Sequence, residues 1–192
     1  MCIRDSDTSE ATISPSSLTF GSSNYSTLQT VTVTGVDDFY DDDNVSYTIT
    51  VDPSSSITSY NKMTSSTVTG SNIDNDTAAI TVGAKSGNTS EFGTTATINV
   101  TLATIPTANV SIVVTDNDST EVSITPTTLT ITPSTWNTTN QVTLTGQDDS
   151  DNDGNITFRI SFDNATSTDS KYNGMAPSPA YVDVINVDDY AD

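Results

Sequence analysis

The sequence predicts an all-β protein built from tandem antiparallel β-sandwich modules, and three observations lead to this fold class. Val, Ile and Thr recur with a period of two, which places alternate side chains on opposite faces of a half-buried strand. These runs are short, turn residues separate them, and no helical period intervenes. Residues 10–52 recur without a gap as residues 121–163, at a constant offset of 111 positions. A period of that length indicates repeated whole domains.

The first six residues, Met-Cys-Ile-Arg-Asp-Ser, resemble the translation of a transposon adapter used in sequencing libraries. Residues of such an origin are left out of fold predictions. Cys2 is the only cysteine, so the native chain is expected to contain none and to begin elsewhere.

Residues 7–76 are predicted to form a β-sandwich module that lacks its N-terminal part. A turn-rich segment at 71–76 leads into the next module without a long linker. The predicted strands of this module lie at 10–13, 18–20, 30–35, 44–51 and 67–69.

Residues 77–192 are predicted to form a complete module of about seven strands. Ala96, Ile98 and Val100 share one face of a strand, and Thr and Asn side chains occupy the other face. Pro126 is expected to bend one long strand. The predicted strands lie at 79–82, 95–102, 109–115, 121–131, 141–146, 155–162 and 181–187.

The charge of the chain indicates partners of positive charge. Five basic residues stand against 25 acidic residues, histidine is absent, and the formal net charge is −20. Such a balance repels nucleic acid and anionic membrane surfaces and attracts cations. No apolar run approaches the roughly 18 residues of a membrane helix, so no membrane span is predicted.

Clustered carboxylates follow the strands of both modules. In an antiparallel meander alternate strand ends lie at the same end of the sandwich, so acids that are distant in sequence converge. Carboxylates packed together raise one another's pKa and repel unless a cation neutralises them. Oxygen ligands without histidine suit Ca²⁺, which takes six to eight oxygens. By the strand count, one end of the second module gathers Glu91, Asp116, Asp148, Asp149, Asp153, Asp188 and Asp189.

Two other interpretations of these acids exist. An Asp pair in a single β-turn is commonly a solvated turn former, but recurrence in both modules and convergence of three loops favour a metal site. The segment Asp149-Ser-Asp-Asn-Asp-Gly154 matches the first half of an EF-hand loop. Ile160 stands where that loop requires glutamate, and Tyr40 interrupts the pattern in the first module, which excludes an EF-hand.

The sequence does not predict an enzyme. Without histidine, neither a Ser–His nor a Cys–His nucleophile pair can form. The segment Gly83-Ala-Lys-Ser-Gly87 lacks the spacing of a phosphate-binding loop. Paired carboxylates can serve glycoside hydrolysis, yet here they lie in predicted turns beside a domain junction.

The second module resembles a Calx-beta domain. The matching parts are Ser90-Glu-Phe-Gly93, residues 129–133, Gln141-Val-Thr-Leu-Thr-Gly-Gln-Asp-Asp149 and Val187-Asp-Asp189. Segments 136–138, 141–146 and 171–174 further resemble tandem modules of large bacterial adhesin-like proteins. The resemblance covers most of 77–189 and the C-terminal half of a module in 10–76. It implies an immunoglobulin-like β-sandwich that binds Ca²⁺.

The resemblance also implies which residues hold the metal. In the second module it assigns Glu91, Asp148, Asp149, Asp153, Asp188 and Asp189. The early glutamate of the first module is expected upstream of this fragment, which would leave that site incomplete. The matching residues of the first module are Asp37, Asp38, Asp42, Asp74 and Asp76.

The sequence thus favours a Ca²⁺-binding structural or adhesion repeat of a long extracellular or bacterial cell-surface protein. The metal is expected to stiffen the loops and the junction between modules, where Asp74 and Asp76 lie. The expected partners are neighbouring repeats of the same chain and a cell-surface glycan or protein. A carbohydrate- or protein-binding accessory module appended to a secreted enzyme stays open as the alternative.

Overall fold

The computed structural model describes residues 1–149 and 153–188. The chain divides into two compact units. Unit 1 consists of Met1–Asp38 and Asp42–Asn75, and unit 2 consists of Phe39–Asp41 and Asp76–Asp192.

Unit 1 contains two antiparallel sheets. Its elements are β1 (Cys2–Asp5), β2 (Ala11–Ser14), β3 (Thr32–Gly35), β4 (Val45–Asp52), the short helix α1 (Thr58–Asn61) and β5 (Ser66–Asn72). One sheet has the strand order β1-β4-β5, and the other joins β2 to β3. Among the described residues, no helix has the length and apolar composition needed to cross a membrane.

Unit 2 contains nine strands among its described residues. They are β6 (Ile80–Val82), β7 (Thr89–Ser90), β8 (Thr95–Leu102), β9 (Val110–Asp116), β10 (Val122–Thr125), β11 (Thr128–Ile131), β12 (Asn140–Gly146), β13 (Ile156–Phe162) and β14 (Tyr181–Val187). One sheet has the order β10-β12-β8-β6 and the other the order β11-β9-β13-β14-β7. All pairings are antiparallel except that of β14 with β7.

The hydrophobic core of unit 2 lies between its two sheets. Ile98 and Val142 of the four-stranded sheet are fully buried, as are Ile112 and Phe158 of the five-stranded sheet. Alternate residues along β8 are buried, so the period-two pattern of the sequence has become the inward face of a strand. The all-β prediction is confirmed, with antiparallel sheets in a sandwich-like arrangement.

The strands differ from the predicted ones in four places. The segment 18–20, predicted as a strand, forms none. The single bent strand predicted at 121–131 is two strands, β10 and β11, which belong to different sheets. Pro126, which has no backbone N–H to give to a ladder, lies between them. The two-residue β7 is too short to leave a periodic signal. Residues Cys2–Asp5, which the fold prediction left out, form β1 with Ile3 buried, and their proposed adapter origin stays a prediction.

The two units repeat the same strand pairings at the offset of 111 residues. Ala11 of β2 pairs with Gly35 of β3, and Val122 of β10 pairs with Gly146 of β12. In the same way β1 pairs with β4 as β9 pairs with β13. The repeat that is visible in the sequence is therefore a repeat of structure.

The segment Phe39–Asp41 is part of unit 2 and is held there by several contacts. The Phe39 carbonyl accepts the Ile105 N–H at 2.8 Å, and its ring lies 5.8 Å from the ring of Trp136. Trp136 is partly buried and packs against the core. Asp41 forms an ion pair with Lys171 at 2.6 Å.

Candidate metal centres

Three carboxylates of unit 2 converge at one end of the sandwich. Oxygens of Glu121, Asp149 and Asp153 all lie within 4.8 Å of one another. Glu121 directly precedes β10, Asp149 follows β12, and Asp153 precedes β13. Because β10 and β12 are antiparallel partners, the start of one strand lies beside the end of the other. We call this group site 2.

Two residues of the last strand and its end support site 2. The amide of Asn186, which is buried, donates to Glu121 Oε2 and to the Gln147 carbonyl, both at 3.1 Å. The Oδ1 atom of Asn186 is buried and accepts no hydrogen bond from the described residues. Asp188 Oδ2 accepts the N–H of Gly154 at 3.0 Å. The end of β14 is thereby tied to the loop that carries Asp153.

Unit 1 contains the same group at the offset of 111 residues. Oxygens of Glu10, Asp38 and Asp42 all lie within 4.8 Å of one another. We call this group site 1. The amide of Asn72 donates to Glu10 Oε2 at 3.3 Å and to the Val36 carbonyl at 2.7 Å. These two bonds repeat those that the corresponding asparagine of unit 2 makes at site 2.

The loop that follows each group is also repeated. Asp43 has φ of 65° and Gly154 has φ of 78°, the left-handed backbone that favours glycine or a short polar residue. Asp74 Oδ2 accepts the N–H groups of Asp42 and Asp43 at 3.1 and 2.9 Å, as Asp188 accepts that of Gly154. The two sites therefore have equivalent backbone turns, each held by an equivalent aspartate carboxylate.

In both groups, burial and neighbouring carboxylates raise the pKa of one member. Burial raises the pKa of Glu121 above its usual range, and the nearby Asp153, Asp118 and Asp149 raise it further, against the opposing hydrogen bond from Asn186. Burial likewise raises the pKa of Asp42, followed by repulsion from Glu10, Asp38 and Asp74. Ionised carboxylates at these distances repel, and a bound cation would remove that repulsion.

The geometry and the donor atoms fit Ca²⁺. Two oxygens that bind one Ca²⁺ at about 2.3–2.6 Å are at most about 5 Å apart, which matches the spread of each group. Each group supplies three carboxylates, and the neighbouring oxygens and water can complete the six to eight ligands that Ca²⁺ takes. The arrangement offers hard oxygen ligands, which suit this ion better than softer metals.

The structure brings together four of the predicted residues. Asp38 and Asp42 are members of site 1, and Asp149 and Asp153 are members of site 2. The carboxylates of Asp74 and Asp188 each accept a hydrogen bond from a backbone N–H of the same loops.

The other predicted residues lie around these groups or elsewhere. Asp37 and Asp148 are exposed and precede the central carboxylate of each site. Glu91 is buried after β7, where its N–H donates to the Val187 carbonyl at 3.1 Å. Asp116 ends β9 as the partner of Ile160. Asp76 begins the long segment of unit 2 and belongs to no strand, and Asp189 lies outside the described residues.

The prediction from sequence missed Glu10 and Glu121. Each is a single glutamate directly before a strand, three residues after an aspartate and outside the Asp-Asp loops. A signal was nevertheless present, because these glutamates are the first matched pair of the 111-residue repeat. Buried glutamates are rare without a partner, and both are more than nine-tenths buried.

The chain was also compared with known proteins. No family model, no curated protein and no solved structure matches it.

Proposed function

We propose that this chain is a Ca²⁺-binding structural or adhesion repeat of a long extracellular or bacterial cell-surface protein. One observation carries the proposal: the same three-carboxylate group recurs at a constant offset, with the same asparagine and the same loop-holding aspartate. Turn-forming aspartates alone do not require a buried glutamate beside them. A cation that binds both groups gives that recurrence a physical reason.

The expected role of the metal is to hold segments together. At site 2 the three ligands come from the start of β10, the loop after β12 and the start of β13. Without a cation these segments carry charges that repel at close range. With Ca²⁺ bound, the three carboxylates would coordinate the same ion, which would restrict the motion of the loops that carry them. The affinity expected for an extracellular module is roughly 10⁻⁴–10⁻³ M.

Thermal unfolding in different ions tests this role. Ca²⁺ at millimolar concentration should raise Tm by several degrees relative to chelator, because a ligand that binds only the folded state stabilises it. Na⁺ at equal ionic strength should give little of that gain, since it only screens the charges. Asp149→Asn should reduce the gain, whereas Asp163→Asn, at an exposed position after β13, should keep it. An equal gain in Tm in Na⁺ would show that the acidic loops respond only to charge screening and do not bind Ca²⁺ specifically.

The proposal extends to the junction between neighbouring repeats, which the metal would stiffen. Small-angle scattering on two complete repeats of a parent protein is the test. An extended rod in Ca²⁺ should give way to a broader distribution of shapes in chelator. Two superimposable profiles would remove the stalk mechanism while leaving Ca²⁺ binding itself intact.

A further inference from the structure

Unit 2 includes a three-residue segment, Phe39–Asp41, whose neighbours in the chain belong to unit 1. The segment is the middle of the connection between β3 and β4. The residues on either side of it, Asp38 and Asp42, are two of the three carboxylates of site 1. The contacts that hold this segment in unit 2 therefore bear directly on the loop that carries two of the proposed metal ligands.

Phe39 contacts two of the connections between the strands of unit 2. Its carbonyl accepts the N–H of Ile105, between β8 and β9, at 2.8 Å. Its ring lies 5.8 Å from the ring of Trp136, between β11 and β12, with an angle of 41° between the ring planes. Aromatic rings at such a separation attract each other beyond the effect of the area that they bury. The segment is thus anchored through its backbone and through an aromatic side chain.

Asp41 is held by a cation and by a backbone group. Its Oδ1 atom lies 2.6 Å from Nζ of Lys171, between β13 and β14. Its Oδ2 atom accepts the N–H of Ala78, just before β6, at 2.8 Å. The side chain of Asp41 is 14% exposed, so solvent screens this ion pair less than a pair on the open surface. Asparagine could not reproduce both contacts, because one of its two terminal groups is a donor.

The groups that hold the segment come from four stretches of unit 2 at one end of its sandwich. The start of β6 and the start of β12 both lie beside the end of β8. The end of β11 lies beside the start of β9. Site 2 is at the opposite end, where the start of β10 lies beside the end of β12. We call these groups the receptor surface: Ala78, Ile105, Trp136 and Lys171.

We propose that the receptor surface of unit 2 is a docking site for the metal loop of the preceding repeat, and that it selects an aromatic residue followed two positions later by an aspartate. This inference rests on the proposed function, because the docked residues lie between two carboxylates of site 1. Ca²⁺ held by Asp38 and Asp42 restrains the backbone on both sides of the segment, which lowers the loss of conformational freedom on docking. Docking and Ca²⁺ binding at site 1 therefore favour each other, and this coupling is reciprocal.

The chain itself supplies a loop that lacks the docking groups. At the offset of 111 residues, Phe39-Tyr-Asp41 corresponds to Ser150-Asp-Asn152, which lies outside the described residues. The second sequence has no aromatic residue at its first position and an asparagine at its third. Each sequence carries one negative charge, so the exchange keeps the length and the net charge of the loop. The loop-exchange variant carries Phe39→Ser, Tyr40→Asp and Asp41→Asn together.

Hydrogen exchange of the full chain measures docking directly. The loop-exchange variant should exchange the N–H groups of Ala78 and Ile105 at least about tenfold faster than wild type, because docking supplies their acceptors. Emission of Trp136, the only tryptophan, should shift as well. Phe92→Ser, at an exposed phenylalanine, is the control and should change neither. An unchanged exchange rate at Ile98, in β8, shows that the variant keeps its fold.

Calorimetric titration of Ca²⁺ into the full chain measures the coupling. The background is Glu121→Gln, which is expected to leave only site 1. Lys171→Met removes a positive charge, which by itself strengthens Ca²⁺ binding to carboxylates. Loss of docking acts in the opposite direction, and we expect Lys171→Met to raise the Kd of site 1 about fivefold or more. Lys85→Met makes the same charge change outside the receptor surface and should not raise this Kd.

The proposal is overturned if the loop-exchange variant leaves the exchange rates of the Ala78 and Ile105 amides unchanged. It is also overturned if Lys171→Met lowers the Kd of site 1 or leaves it unchanged, because charge alone would then explain the result. An absence of any Ca²⁺ binding by wild type would contradict the proposed function and remove the coupling. Hydrogen exchange would still decide whether the receptor surface docks the loop, so the two failures are distinguishable.

Discussion

Replacing Glu121 by glutamine should stabilise the metal-free protein and abolish the response of site 2 to Ca²⁺. Glutamine keeps the size of the side chain and an oxygen that can accept the 3.1 Å hydrogen bond from Asn186. It removes the buried charge that lies within 4.8 Å of two other carboxylates. The same change deletes a charged ligand from the proposed metal centre. The two effects have opposite signs, and this makes the variant informative.

The size of the first effect follows from Coulomb's law. Two unit charges 4.8 Å apart repel by about 3.5 kcal/mol at an effective dielectric constant near 20, and by about 0.9 kcal/mol in bulk water. Asp149 and Asp153 are exposed, so solvent screening brings the value towards the lower limit. We expect Glu121→Gln to raise the free energy of unfolding in chelator by about 1–2 kcal/mol. That corresponds to roughly 3–8 °C in Tm.

The second effect follows from linkage. Ca²⁺ at ten to one hundred times its Kd stabilises the wild-type protein by about 1.4–2.7 kcal/mol for each site. Glu121→Gln should lose that gain at site 2. The variant should therefore unfold at a higher temperature than wild type in chelator and at a similar or lower temperature in Ca²⁺.

Differential scanning calorimetry of both proteins, in chelator and in 10 mM Ca²⁺, measures this reversal. Asp163→Asn is the charge-matched control and should shift both conditions equally. A Glu121→Gln protein that is destabilised in chelator would show that the carboxylates are not under mutual repulsion. A variant that retains the full Ca²⁺ response would remove Glu121 from the metal centre.

Three further predictions concern pH, packing and a buried hydroxyl. Because the pKa of Glu121 is raised in the folded protein, protonation of Glu121 stabilises the fold in chelator below about pH 4.5, and this stabilisation is lost as pH rises. The free energy of unfolding of Glu121→Gln should therefore exceed that of wild type by a margin that grows between about pH 4 and 7, as measured by urea unfolding. Gly146→Ala should destabilise unit 2 by roughly 1–3 kcal/mol because its Cβ would collide with a neighbouring backbone carbonyl, whereas Gly87→Ala, with open space around it, should be nearly neutral. Tyr172→Phe should cost about 1–3 kcal/mol because it leaves buried backbone groups unpaired, and Tyr181→Phe, at an exposed tyrosine, should change the urea midpoint little.

The fold class was predictable because the inward face of each strand alternates. The predicted bounds of β8 and β14 agree with the structure, since Ile98 and Val184 sit in clear period-two runs. The break between β10 and β11 was not predictable from periodicity, because residues on both sides of Pro126 alternate in the same way. Only the sheet to which each half belongs distinguishes one bent strand from two.

The candidate sites were partly predictable. The Asp-rich loops of the sequence indicate Asp38, Asp42, Asp149 and Asp153 as candidates. A count of strand directions places the acids of each module at one end of its sandwich. Glu121 enters site 2 because Val122 pairs with Gly146, a register that the sequence does not reveal on its own. The support from Asn186 depends on a contact across 65 residues of chain, which no local pattern encodes.

Isothermal titration of Ca²⁺ into the full chain tests the central claim most directly. The account predicts two sites per chain with Kd of roughly 10⁻⁴–10⁻³ M. Glu10→Gln should leave only the site of unit 2, Glu121→Gln only the site of unit 1, and the double variant neither. No heat of binding at millimolar Ca²⁺, or an unchanged stoichiometry in the double variant, would contradict the assignment of these two carboxylate groups as metal centres.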